Sequence, residues 1–294
     1  MKVAIVGFGM MGRQIAQVFL QNGHQVTVTD EKLDMLKPGV EEIENGSYGI
    51  KAGVSRGKLT EAQAASALRN LRVAEDLQEA CKETGLVIEA VFENLDLKQR
   101  LFQQIELAAP SSATLASNTS TLSLARIAEK VGEKERVLGL HFFNPAQASK
   151  LVEIVRTDKT SPARLEEAIN MVKQFGKTPI VSEDEPGFIA NRLGLTLYVE
   201  ASRLLEQGTA SVEDIDTAMR LGYGHPMGPF QTADLVGLDT RLRNLESLYE
   251  ATGDTKWIPP RILREMVNQG YTGDPSKKKD SKGGYYQLYK VASH

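Results

Sequence analysis

The sequence predicts an α/β fold, in which an N-terminal doubly wound parallel sheet is followed by an all-α C-terminal domain. Short apolar runs typical of buried parallel strands, such as residues 3–6 and 86–92, alternate with helical patterns as far as residue 181. A glycine-rich turn connects the first of these runs to the first helix. No strand pattern recurs after the loop at 183–187. We therefore predict two domains, residues 1–184 and 185–294.

The glycine-rich turn has the spacing of a dinucleotide site. Gly7, Gly9 and Gly12 form G-x-G-x-x-G between an apolar run and a helical pattern, as in a Rossmann-type unit. The first glycine permits the tight turn, the second lets a pyrophosphate approach the backbone, and the third lets the helix pack closely on the sheet. The helix would offer N–H groups to phosphates in its first turn, at Met10 and Met11. The alternative is a glycine-rich turn that binds nothing.

An acid follows the second predicted strand. Asp30 ends the alternating run that begins near Val26, and Glu31 comes next. A carboxylate at this position accepts hydrogen bonds from a ribose diol and repels a 2′-phosphate. The sequence therefore favours NAD over NADP as the cofactor.

Composition and charge narrow the class of protein. The chain has 294 residues, with 41% hydrophobic residues and a net charge of -3, which argues against general nucleic-acid binding. No apolar stretch is long enough to cross a bilayer, and the first residues predict a strand rather than a signal peptide. The single cysteine, Cys81, excludes an internal disulfide, and we predict that it packs rather than reacts. We expect a cytoplasmic protein with no nucleic-acid or membrane partner.

Polar residues follow two further predicted strands. Glu93 ends the run 86–92, and Lys98 lies in the next helical pattern. Ligands of open parallel sheets bind beyond the carboxyl ends of the strands, so both are candidate site residues. For Glu93, a plain acidic charge at a helix N-terminus is equally compatible. Residues 117–120, Ser-Asn-Thr-Ser, indicate either a helix cap or a hydrogen-bonding site.

The runs 137–145 and 150–155 predict two strands joined by a turn. Such a pair can bring the side chains of His141 and Glu153 together. A histidine backed by a carboxylate can act as a general base, because the acid fixes the tautomer and stabilises the imidazolium. A buried histidine bonded to a structural acid is the alternative.

Residues 31–84 predict a mainly helical excursion before the next buried strand. Thr60 and Gln63 form a capping box ahead of a helical face that we extend to Leu71. Lys51, Arg56 and Lys58 lie between the helical pieces. They indicate either a cationic arm for an anionic ligand or a solvated basic turn.

The sequence pattern of the second domain predicts helices only. A strongly apolar helix spans 188–206 and carries Asn191 near its start. The segment 277–286 is basic and then aromatic, and we predict that Tyr285 and Tyr286 dock on the helices.

Seven motifs occur together over nearly the whole chain. They are GFGMMG, VFENLDLKQRLF, SNTSTL, HFFNP followed by KLVEIV, EPGFIANRL, EDIDTAMRLG and HPMGPFQTADLVGLD. With these motifs the chain resembles the L-3-hydroxyacyl-CoA dehydrogenases, in particular the short-chain type that acts on 3-hydroxybutyryl-CoA.

The resemblance implies a site and a reaction. His141 would be the catalytic base and Glu153 its partner, Ser120 would hydrogen-bond the reacting oxygen, and Asn191 would contribute from the second domain. The remaining implied positions are cofactor-side residues Asp30, Glu93, Lys98 and Asn118, and acyl-CoA-side residues Asn144, Lys51 and Lys58. NAD would be the cofactor. The family also implies a homodimer formed through the C-terminal domain.

One departure from the family affects the expected substrate. Residues 146–149 are Ala-Gln-Ala-Ser, where the family often has Val-Pro-Val-Met. This smaller, more polar segment leaves the preferred acyl-chain length open, so a longer-chain enzyme is one alternative. A dehydrogenase of free hydroxy acids, such as the gulonate type, and a non-catalytic NAD-binding protein are the others.

Overall fold

The computed structural model describes residues 1–276 and 278–291, without the side chains of residues 290 and 291. Lys277, in the predicted basic segment, lies outside the described residues, as do residues 292–294. The chain forms two compact units, Met1–Phe188 and Ile189–His294. No helix of the described chain is long and apolar enough to cross a membrane.

The first unit is built on a single sheet. Its described strands are β1 (Lys2–Val6), β2 (Gln25–Thr29), β3 (Leu71–Val73), β4 (Leu86–Glu89), β5 (Thr114–Ser117), β6 (Val137–Phe142), β7 (Leu151–Arg156) and β8 (Thr178–Glu183). They lie in the order β3-β2-β1-β4-β5-β6-β7-β8. Neighbouring strands are parallel except β6 and β7, which are antiparallel. The predicted sheet is confirmed, and the chain order reverses between β1 and β4, where such sheets open a crevice for ligands.

Helices cover both faces of this sheet. They are α1 (Met10–Gln21), α2 (Leu36–Asn45), α3 (Ile50–Ser55), α4 (Glu61–Arg69), α5 (Leu77–Cys81), α6 (Leu95–Ala108), α7 (Leu124–Ile127) and α8 (Pro162–Gln174). Val3 and Ile5 of β1 pack in one apolar cluster, whereas Ala4 and Val6 pack in another. Since alternate strand residues face opposite sides, the sheet is buried on both faces.

Cys81 packs at the end of α5. It is fully buried, and burial raises the pKa of its thiol to about 12. The predicted packing of Cys81 is confirmed, and its low reactivity stays a prediction, which the raised pKa supports because the thiolate is the reactive form.

The excursion between β2 and β4 differs from the prediction at one point. The capping box is confirmed, because the Gln63 N–H donates to Thr60 Oγ1 at 3.2 Å and the Thr60 N–H donates to Gln63 Oε1 at 2.8 Å. The helical face does not reach Leu71, however. The helix ends at Arg69, and Leu71 begins β3, whose pairing with β2 outweighs the helical spacing.

The described residues of the second unit form helices joined by loops, with no strand. Its helices are α9 (Ala190–Glu206), α10 (Val212–Thr217), α11 (Pro229–Val236), α12 (Leu238–Thr252), α13 (Arg261–Asn268) and α14 (Tyr285–Val291). Tyr285 is fully buried and its hydroxyl lies 2.7 Å from that of Tyr198. The Tyr286 hydroxyl donates to Asp216 at 2.8 Å. The predicted docking of both tyrosines is confirmed.

The first helix of the second unit starts later than predicted. It begins at Ala190, because the backbone of Phe188 has φ +48°, outside the helical range. Phe188 therefore belongs to the loop that precedes α9.

Candidate active site

The three glycines of the motif, two between β1 and α1 and one in the first turn of α1, have different structural roles. Gly7 has φ +94°, a conformation that disfavours other residues. A Cβ at Gly12 would lie 1.9 Å from the carbonyl oxygen of Gly7, so only glycine lets α1 pack this closely on the turn. At Gly9, no described atom lies within 4 Å of the corresponding Cβ position. Packing therefore requires Gly12, whereas Gly9 borders open space that a phosphate could enter.

This difference gives a paired prediction. Gly12→Ala forces a backbone clash, so we expect it to lower the free energy of unfolding by about 3 kcal/mol or more. Gly9→Ala, with ordinary space around its Cβ, should melt near the parental temperature yet bind NADH roughly tenfold more weakly. Thermal denaturation and fluorescence titration with NADH measure the two effects. Parental NADH affinity in Gly9→Ala would contradict the assignment of the phosphate position.

A pocket of about 800 Å³ opens beside the glycine turn. Gly7, Gly9, Met10, Met11 and Asp30 all line it. Its wall also contains Phe92, which sequence reasoning missed as a site residue because the run 86–92 predicts a buried strand. That prediction is wrong at its end, since β4 stops at Glu89 and the side chain of Phe92 is 80% exposed.

Asp30 is held at the edge of this pocket by the backbone. The Phe8 N–H donates to Asp30 Oδ2 at 2.6 Å, and the Lys32 N–H donates to Oδ1 at 2.9 Å. Each carboxylate oxygen can accept further hydrogen bonds. The arrangement fits a ribose diol and opposes a phosphate at the same place.

Glu93 connects the end of β4 to the turn after β5. Its Oε1 accepts hydrogen bonds from Thr119 Oγ1 at 2.7 Å, from the Ser120 N–H at 2.9 Å and from the Thr121 N–H at 3.0 Å. Desolvation raises the pKa of Glu93, but the ammonium of Lys98 and these hydrogen bonds outweigh it and hold the pKa below its usual value. The charged Glu93 side chain therefore holds the turn that carries Ser120 through these hydrogen bonds.

Lys98 faces the protein interior. Its side chain is 1% exposed, and Nζ lies 2.6 Å from Glu89 Oε1 and 3.4 Å from Glu93 Oε2. Glu89, fully buried, also accepts from Ser117 Oγ at 2.6 Å. Sequence reasoning missed Glu89, although an acid inside an apolar strand is a signal. Lys98 thus bridges two carboxylates, one at the end of β4 and one in the loop that follows β4, rather than presenting its charge at the surface.

Asn118 extends this network to β6. Its Oδ1 accepts from the Phe142 N–H at 2.9 Å, next to His141. The carboxyl end of β5 and the end of β6 are therefore held together.

His141 and Glu153 face each other across the antiparallel pair β6 and β7. They are direct partners in the strand register, and Nδ1 of His141 lies 2.7 Å from Glu153 Oε2. His141 is 6% exposed and Glu153 is fully buried. Because a carboxylate only accepts, Nδ1 carries the proton and Nε2 is the acceptor available for a substrate. The predicted meeting of the two side chains is confirmed.

The remaining predicted residues lie on several elements. Asn144 follows β6, where its Oδ1 accepts from Gln14 Nε2 at 2.9 Å. Lys51, on α3, pairs with Glu44 at 2.6 Å, and Lys58 is exposed between α3 and α4. Asn191 lies in the first turn of α9, in the second unit. Among the described residues, no cluster of ligands could hold a metal ion.

Comparison with known proteins identifies the family. Residues 2–185 match the NAD binding domain of 3-hydroxyacyl-CoA dehydrogenase, and residues 187–283 match its C-terminal domain. The chain belongs to the 3-hydroxyacyl-CoA dehydrogenase family. NAD as its cofactor is thereby confirmed, as is its nature as an oxidoreductase.

Individual relatives agree with this assignment. The chain is 40% identical to the mitochondrial hydroxyacyl-coenzyme A dehydrogenase of Rattus norvegicus, covering 96% of this chain and 90% of the relative. It is 34% identical to a probable 3-hydroxybutyryl-CoA dehydrogenase of Bacillus subtilis, with 97% and 96% covered. Among solved structures, (S)-3-hydroxybutyryl-CoA dehydrogenase from Ralstonia eutropha superposes with a TM-score of 0.87 at 38% identity, covering 94% of this chain and 96% of that one.

Proposed function

We propose that this enzyme oxidises (S)-3-hydroxyacyl-CoA to 3-ketoacyl-CoA with NAD, reversibly, and that it prefers short chains such as 3-hydroxybutyryl-CoA. The observation that carries the proposal is the buried His141–Glu153 pair, whose hydrogen bond at Nδ1 leaves Nε2 as the proton acceptor. The names of the bacterial relatives support the short-chain preference. Fatty-acid or butanoate metabolism would use such a reaction.

The proton is handled by this chain's own residues. Nε2 of His141 removes the proton of the 3-hydroxyl, and buried Glu153 stabilises the imidazolium that results. In the reverse direction His141 returns the proton to the forming alkoxide. Ser120 and Asn191 hydrogen-bond the reacting oxygen in this proposal. Bound NAD would supply the acceptor for the hydride on the carbon that carries the 3-hydroxyl.

NAD and the acyl-CoA substrate are proposed to bind to two different sets of residues. Asp30 and the turn at Gly7, Gly9 and Gly12 would hold the adenosine and phosphate portions of NAD. Glu93 and Asn118 would contact NAD beyond the carboxyl ends of the strands. Buried Lys98 would contribute indirectly, by holding Glu93 and Glu89 in place. The coenzyme A portion would contact Lys51, Lys58 and Asn144.

We also retain the proposal of a homodimer formed through the C-terminal domain. Exposed apolar side chains of the second unit support it, including Leu193 at 67% and Tyr223 at 78% exposure. A partner surface would remove such side chains from water. Cytoplasmic location and the expectation of no nucleic-acid or membrane partner stay predictions.

A single assay tests the activity and its alternatives. We expect NADH oxidation with acetoacetyl-CoA, slower turnover as the 3-ketoacyl chain lengthens, and much weaker activity with NADPH because of Asp30. Oxidation of gulonate with NAD serves as the comparison. Turnover of gulonate without turnover of 3-hydroxybutyryl-CoA would identify the free hydroxy-acid alternative. NADH binding with no turnover of any substrate would identify a non-catalytic protein.

A further inference from the structure

Phe188 has an unusual backbone conformation for its side chain. Among the described residues other than glycine, it alone has a positive φ, +48°. A bulky aromatic residue in this left-handed region is strained. Such strain persists where the surrounding structure enforces it, and it is concentrated at functional sites.

The segment that contains Phe188 is fastened to the first unit at both ends. At one end the Asp184 carboxylate accepts three hydrogen bonds of 2.7 to 2.8 Å, from Ser123 Oγ and from the N–H groups of Leu124 and Ala125. At the other end, the Phe188 side chain is 3% exposed and packs in the apolar cluster that includes Val6 and Val87. Within the segment, the Phe188 N–H donates to the Glu185 carbonyl at 2.9 Å. These contacts are what enforce the strained conformation.

The strained conformation places the ring of Phe188 beside the imidazole of His141. The two ring centroids lie 5.8 Å apart at 57°, and the ring of Phe143 lies 4.5 Å from the same imidazole at 53°. Both are tilted aromatic contacts of favourable geometry. The hydrogen bond that His141 Nδ1 donates to Glu153 fixes one imidazole atom but leaves the ring plane free to rotate about it. Contact with aromatic rings restricts that rotation.

We infer that Phe188 is a positioning residue for the dehydrogenase reaction, whose ring fixes the plane of the His141 imidazole and therefore the direction in which Nε2 points. The inference rests on the proposed role of His141 as the base. Phe188 contacts the imidazole and does not line the pocket beside the glycine turn, so its loss should slow proton and hydride transfer without weakening the binding of NADH. A misdirected base can cost roughly a hundredfold in rate.

Phe188→Leu and Phe102→Leu form the matched comparison. Phe102 on α6 is fully buried in the same apolar cluster and has no ring contact with His141 among the described aromatic pairs. We expect Phe188→Leu to lower kcat by about ten- to a hundredfold with unchanged NADH affinity. Its isotope effect with NADH deuterated at the transferred position should rise, since the chemical step becomes slower. Phe102→Leu should lose stability but keep both kcat per folded molecule and the isotope effect. Equal changes in the two variants would overturn the inference.

A second pair separates the ring from the backbone. Both Phe188→Gly and Phe188→Ala remove the ring. The glycine variant also relieves the backbone strain, whereas the alanine variant keeps the strain. We expect both to show the same loss of kcat, with the glycine variant melting at the higher temperature. Parental kcat in the glycine variant would overturn the role of the ring.

His141→Ala, assayed alongside, separates the role of His141 as base from the positioning role of Phe188. If it turned over at the parental rate, the base assignment itself would fail. If it is impaired while Phe188→Leu behaves like Phe102→Leu, only the positioning role fails.

Discussion

Replacing His141 with alanine is expected to lower kcat for acetoacetyl-CoA reduction by about 10²- to 10⁴-fold, the usual contribution of a positioned general acid or base. The side chain is nearly buried and its Nδ1 is engaged by Glu153, so the alanine variant removes the one imidazole nitrogen left to exchange a proton with substrate. NADH affinity should stay near parental, because the glycine turn and Asp30 follow β1 and β2, two strands that do not carry His141. Steady-state NADH oxidation and fluorescence titration measure the two quantities.

His24→Gln is the matched control for this variant. His24 lies between α1 and β2, at the amino end of the sheet, and packs against the rings of Phe19 and Phe175. Burial and the N-terminal charge lower its pKa to about 4, so the substitution removes no charge near neutral pH. We expect a change in stability and no change in kcat. Parental turnover in His141→Ala would show that another group moves the proton.

Glu153→Gln is expected to lower kcat by a similar factor, about 10²- to 10⁴-fold, while NADH affinity is retained. Glutamine keeps the size of the side chain but removes the charge that stabilises the imidazolium. Its amide can also donate to Nδ1, which would place the proton of the neutral imidazole on Nε2 and block its function as a base. The pH dependence of kcat, measured against that of the parent, reports the loss of the carboxylate.

Glu183→Gln provides the control for Glu153. Glu183 pairs with Arg156 at 2.5 Å, and both side chains are largely exposed, so this pair contributes little to stability. We expect parental kcat and a parental pH profile. If Glu153→Gln instead lost NADH affinity and kcat together, Glu153 would have a structural rather than a catalytic role.

The features that sequence alone predicted are those encoded by local spacing. G-x-G-x-x-G is a contiguous pattern with a physical reason at each position, and the predicted close packing at Gly12 is confirmed, since a Cβ there would meet the Gly7 carbonyl and the Ile5 side chain of β1. Likewise, two strands joined by a short turn can pair in few ways, so His141 and Glu153 could be brought together from sequence.

The features that sequence did not predict depend on tertiary contacts. Leu71, the first residue of the edge strand β3, fits the helical spacing of α4, and only its pairing with β2 distinguishes it from the end of that helix. Glu89 is an isolated acid in an apolar run of the sequence, and only the folded structure shows that Lys98 and Ser117 are its partners. The conformation of Phe188 results from a loop held at both ends, which no spacing rule reports.

The antiparallel register of β6 and β7 has a consequence for how this enzyme can diverge. His141 lies directly opposite Glu153, and a shift of one residue would turn one of the two side chains to the other face of the sheet. The hydrophobic pattern of the two strands and the geometry of the intervening connection set that register. Substitutions such as those at 146–149 leave the register unchanged as long as that geometry is kept, whereas a slip of one residue would separate acid from base and turn the buried apolar side chains of one strand to the wrong face.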